Sequence, residues 1–86
     1  MKSTHARASR PPDLAAVRQG KGITLREIAD RTKISLRFLK AIEDGDFKTL
    51  PGGIYDRSYI RQYANAVGVE DTALLEYYRS ATAERD

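Results

Sequence analysis

Of the side chains used for metal binding, thiol chemistry and proton transfer, this chain of 86 residues has one histidine, His5, and no cysteine. Without Cys there is no disulfide, no Cys-ligated zinc and no thiol nucleophile. No His or carboxylate cluster has the spacing of metal ligands. The run "EDGD" (Glu43 to Asp46) resembles a fragment of a calcium loop. It lacks the alternating ligands and the closing Glu that such loops need. Gly52 and Gly53 precede a helical stretch, where free backbone N–H groups can hold an anion. No P-loop lysine accompanies them, so an ordinary loop is the simpler reading. Nothing resembles a nucleophile paired with its base. The expectation is a protein that is not an enzyme, with no cofactor, no metal and no small-molecule substrate.

The chemistry on offer is that of binding. Tyr55, Tyr59 and Tyr63 recur at four-residue spacing, with Arg57 and Arg61 between them. Tyr and Arg are the side chains enriched at binding hot spots. At about 100° per residue, Ile60, Tyr63, Ala64 and Val67 fall on one face, which is the core. Tyr63 is expected on the edge of that face, Tyr59 further round and Tyr55 further still. Tyr55, Arg57, Tyr59 and Arg61 then form an exposed amphipathic patch. The plain alternative is that Tyr55 and Tyr59 only cover the 47–53 loop or the start of the last helix. Base stacking on the rings is the weakest reading, because the fold is wrong for it.

The elements that carry these residues follow from local signals. Residues 1–12 lack apolar periodicity and read as a disordered basic tail. Asp13 offers an N-cap to a first helix carrying Leu14 and Val17, which stops near Gly20 or Gly22. "TLRE" (Thr24 to Glu27) is a capping box. It opens a second helix with Leu25, Ile28 and Ala29 on its apolar face, running to about Arg31. Ser35 caps a third helix, with Leu39 and Ile42 inward, Phe38 beside them and Gly45 as the stop. Phe47 and Leu50 pin a loop. The fourth helix is "IYDRSYIRQYANAV", stopped by Gly68. Glu70 or Asp71 caps a fifth, with Leu74, Leu75 and Tyr78 inward. There is no strand pattern and no internal repeat. The chain divides into the tail over 1–12, one all-α domain over 13–82 and a C-terminal tail over 83–86. Apolar runs are a few residues long, too short to span a membrane. The polar, proline-containing start does not form a secretory signal.

Two short helices joined by a tight turn suggest a helix-turn-helix. "LAAVRQGKGITLREIADRTKISLRFLKAIEDGDF" resembles that of the phage repressor and Cro-like family, so the expected fold is a five-helix repressor-like domain. The resemblance implies an ion pair between Arg18 of the first helix and Glu43 of the third, with a structural role. The continuation "AIEDGDFKTLPGGIYDRSYIRQYANAVGVEDTALLEYY" narrows the likeness to the cytoplasmic N-terminal domain of the RodZ family of bacterial cell-shape proteins. The "GDF..LP" loop and the "Y.R.YI..YA..V/LG" helix appear in order, over roughly residues 13–80. This implies a non-enzymatic cytoplasmic adaptor that binds the actin-like filament protein MreB. It also implies that the fourth helix, with Tyr55 and Tyr59, makes the filament contact. RodZ proteins continue into a basic linker, a transmembrane helix and a periplasmic part. The expectation is therefore the cytoplasmic part of a longer membrane-anchored protein, or a stand-alone relative.

The alternative is a DNA-binding regulator. Net charge is +3 and the sequence pI about 9.4, but Lys2, Arg7 and Arg10 lie in the tail. Residues 11–86 hold twelve basic and twelve acidic side chains. A DNA-binding fold usually carries its cations on the fold itself. By the repressor likeness, Leu25, Leu36, Arg37 and Ala41 stand where bases are read. Leu and Ala reach only a thymine methyl, leaving Arg37 as the one reader of a base edge. Arg26, Lys33, Arg37 and Lys40 would meet phosphates. In the adaptor reading, Lys33, Arg37 and Lys40 supply a secondary electrostatic contact. Leu36 and Phe38 are either core or inter-helix packing, with the 47–50 loop as one place for it, or an apolar protein contact.

Overall fold

The computed structural model describes residues 13–83. The expected tail over 1–12, with His5, Lys2, Arg7 and Arg10, lies outside them, as do residues 84–86. Ala83, assigned above to the C-terminal tail, is helical and is the last described residue.

The described chain is helical throughout: α1 Leu14–Gly20, α2 Leu25–Thr32, α3 Leu36–Asp44, a 3-10 turn Phe47–Thr49, α4 Ile54–Val67 and α5 Asp71–Ala83. The first three starts have local causes. The Asp13 carboxylate accepts from the Ala16 N–H at 3.1 Å. The Thr24 hydroxyl accepts from the Glu27 N–H at 3.0 Å, and Glu27 reaches back to the Thr24 N–H at 2.8 Å. These contacts engage backbone donors that the first turn of a helix leaves free. Ser35 caps α3 through the Phe38 N–H. Left-handed Gly45 and Gly68 end α3 and α4, where a Cβ would be strained.

The core is one cluster. Ile28, Leu39, Ile42, Ile60, Tyr63 and Val67 are fully buried, joined by Leu14, Ile34, Phe47, Leu50 and Leu74. Phe47 reaches it from the 3-10 turn and meets Tyr77 and Tyr78 of α5 edge-on, at 5.5 and 5.1 Å between centroids. Tyr63 departs from its expected edge position and is fully buried. The reason is a polar partner inside the fold, since its hydroxyl donates to Glu43 at 2.8 Å. A buried phenol needs such a partner to offset the loss of water.

Between α2 and α3 the chain turns at Lys33, whose φ of 65° is the one positive value outside glycine among the described residues. The left-handed region costs an L-residue roughly 1–2 kcal/mol. Lys33→Gly relieves that strain while loosening the unfolded chain. It is expected to be neutral or stabilising within about 1 kcal/mol, whereas Lys33→Val loses roughly 1–2 kcal/mol. Urea unfolding followed by circular dichroism measures both. Equal stability for the two variants would show that the turn carries no such strain.

Candidate functional site

Helix α4 packs on α3 along one flank and on α5 along the other, and the two flanks differ in chemistry. On the α3 side, Tyr59 is half-buried and its ring stacks on Phe38 at 5.8 Å. Tyr55 leans on Tyr59 at 6.1 Å. The three rings form a row that starts on α3 and emerges into solvent at Tyr55, which is 57% exposed. Ile54, at the first position of α4, is 83% exposed, more than any other large apolar side chain described.

Arg57 and Arg61 do not join this row. Two positions along a helix are about 200° round it, so Arg57 lies across α4 from Tyr55, and Arg61 across from Tyr59. Arg61 turns to α5, where it meets Asp71 at 3.8 Å. The patch expected from alternating Tyr and Arg is thus split by helical geometry.

Phe38 is packed between helices, its ring against Tyr59 of α4. Tyr59 is partly buried against the core as well as against Phe38. Leu36 is 39% exposed. Ala41, placed above among the base-reading positions, is 3% exposed and cannot touch a base edge. Leu25 is half-buried against the core. Arg26, Lys33, Arg37 and Lys40 are exposed, and Lys40 is held by Asp44 at 3.3 Å. The outward face of the helix-turn-helix is therefore mixed in charge, with one apolar residue and one carboxylate where a DNA reader needs donors and cations.

Two buried carboxylates hold the helices that bear these residues. Glu43 receives Arg18 Nε and the Tyr63 hydroxyl on one oxygen, and Arg18 also donates to the Ile23 carbonyl at 2.9 Å. The pair ties α1 to α3, and Tyr63 ties both to α4. The hydrogen bond to Glu43 raises the Arg18 pKa above its usual value, against the opposing effect of burial. Burial first, and the bond to the Glu43 carboxylate second, push the Tyr63 phenol well above 10.0. Asp56 is the second hub. It accepts from the Gly52 N–H at 2.6 Å and from the Tyr78 hydroxyl at 2.9 Å. It thereby fixes the loop before α4 and the neighbouring turn of α5. The Gly52 N–H considered above as an anion donor is engaged within the fold. Sequence reading missed Asp56, although a carboxylate three residues past the Gly53 N-cap is a standard signal for reaching back to loop donors.

Among the described residues, no group of His, Cys, Asp or Glu is placed to hold a metal ion. No described helix is long and apolar enough to cross a membrane.

Five helices around a helix-turn-helix, with an ion pair from α1 to α3, define a helix-turn-helix domain, and the family model of that description matches residues 13–74. The chain belongs to this family, in its RodZ-like branch. It is 38% identical over 69 residues to Cytoskeleton protein RodZ of Streptococcus pneumoniae, covering 80% of this chain and 25% of that one. It is 39% identical over 57 residues to Uncharacterized membrane protein YmfM of Bacillus subtilis, covering 66% of this chain and 20% of that one. The chain thus spans a quarter or less of these relatives. No solved structure matches it at a significant level.

Proposed function

We propose that this domain is a non-enzymatic adaptor of the bacterial cytoskeleton, working in the cytoplasm and docking on an MreB-like filament subunit through α4. The observation that carries the reading is the aromatic row Phe38, Tyr59 and Tyr55, half-buried at its root and exposed at its tip. Rigid rings anchored at one end make good docking groups, because little side-chain freedom is lost on binding. The likeness to a cytoskeleton protein supports the choice of partner. The DNA-binding alternative rests on Arg26, Lys33 and Arg37, exposed cations with no ion pair among the described residues. The mixed charge of that face and the burial of Ala41 weigh against it.

The test is co-sedimentation with polymerised bacterial MreB. Tyr55→Ala/Tyr59→Ala, compared at matched helicity, is expected to weaken co-sedimentation by roughly 30-fold or more, as loss of a hot-spot pair does. A wild type that stays in the supernatant would end the filament reading. A salt-dependent shift of random duplex DNA by the same protein would then favour the alternative.

A further inference from the structure

We infer that the docking surface is bipartite, that its cation is Arg37 of α3, and that it fits a protein surface with a carboxylate beside an apolar hollow. The inference rests on the aromatic row being the docking site, as proposed above.

The row itself crosses between helices, since its innermost ring belongs to α3. Arg37 is the residue before Phe38. At about 100° per residue, Ala41 falls between the two around α3. Ala41 is buried, so Arg37 stands at the outer edge of the packed face of α3, on the side that carries Phe38. Its side chain is exposed and takes part in no hydrogen bond or ion pair among the described residues. The cations of α4 are placed differently. Arg57 and Arg61 lie across the helix from the rings, and Arg61 is engaged with Asp71.

The acids of the two helices that carry the row are engaged within the fold. Asp56, the single acidic residue of α4, is buried and bonded to Gly52 and Tyr78. On α3, Glu43 is buried with Arg18 and Tyr63, and Asp44 pairs with Lys40. What remains is an apolar, positively charged edge with no exposed, unengaged carboxylate on either helix. Its complement is apolar and negative. Duplex DNA supplies the charge but has no hollow for three rings.

The experiment is co-sedimentation with polymerised MreB over a range of salt, using the full 86-residue chain. Arg37→Ala is expected to weaken binding roughly fivefold, as loss of one exposed charge pair does, and to flatten the salt dependence. Arg37→Glu is expected to weaken it further. Arg57→Ala/Arg61→Ala should stay within about twofold of wild type. The inference is overturned if Arg37→Ala matches wild type, or if the Arg57/Arg61 variant loses more. It is also overturned if Arg37→Ala loses random-duplex binding but keeps the filament. If Tyr55→Ala/Tyr59→Ala fails to sediment while Arg37→Ala behaves as wild type, this inference alone falls. If the wild type does not sediment, it falls together with the proposed function.

Discussion

Glu43→Ala is expected to lose about 3–5 kcal/mol of folding free energy, the usual cost of breaking a buried ion pair from one side. The Glu43 side chain is 1% exposed and that of Arg18 is 11% exposed. Removing the carboxylate strands the guanidinium and takes the acceptor from the Tyr63 hydroxyl. It also opens a cavity where α1, α3 and α4 meet. Small domains are stable by only several kcal/mol, so this variant should be largely unfolded at room temperature. Replacing both partners with apolar residues of similar volume, as in Arg18→Met/Glu43→Leu, strands no charge and should cost less than Glu43→Ala. Tyr63→Phe in that background removes the remaining orphan hydroxyl. Chemical denaturation of Arg18→Met, Glu43→Leu and the double gives the coupling energy directly. A Glu43→Ala protein within 1 kcal/mol of wild type would mean that the triad is not the clamp described above.

The same triad sets an alkaline limit on the fold. The Tyr63 phenol is held above 10.0 in the folded state by burial and by the Glu43 carboxylate. Unfolding releases it to the ordinary tyrosine value. Below that value both states bind the proton and Tyr63 makes its full contribution. Above it the unfolded state gives up a proton that the folded state keeps, so stability falls as pH rises. The slope from this one group is about 1.4 kcal/mol per pH unit. It persists until the folded-state value is reached. The informative quantity is the difference between wild type and Tyr63→Phe. The variant should lose stability at neutral pH, because Glu43 forfeits a donor, and should lack the Tyr63 share of the slope. Parallel curves above pH 10 would show that Tyr63 ionises as freely folded as unfolded.

Much of the helical framework is readable in the chain. The Thr24–Glu27 capping box, the Ser35 cap, the stops at Gly45 and Gly68 and the bounds of α4 all depend on residues a few positions apart. The apolar face of Ile60, Ala64 and Val67 follows from periodicity and is buried. Arg18 and Glu43 were brought together by likeness to a known fold, not by spacing, since 25 positions separate them. The 3-10 turn over Phe47–Thr49 gives too short a pattern to declare itself.

The site was less legible, and for one physical reason. Tyr55, Arg57, Tyr59 and Arg61 alternate in the sequence, which suggests one patch, but a helix separates alternating residues by more than a right angle. Which flank receives which neighbour is then decided by packing. Phe38 of α3 draws the tyrosines to one side, and Asp71 of α5 draws Arg61 to the other. Tyr63 could enter the core because a carboxylate from another helix waited for its hydroxyl, and Asp56 could be buried because Tyr78 of α5 did the same. Sequence by itself determined where helices begin, end and turn, because those signals act within one or two turns of chain. Only the tertiary structure decided which side chains meet across them, because burial of a polar or aromatic group depends on partners that local spacing does not name.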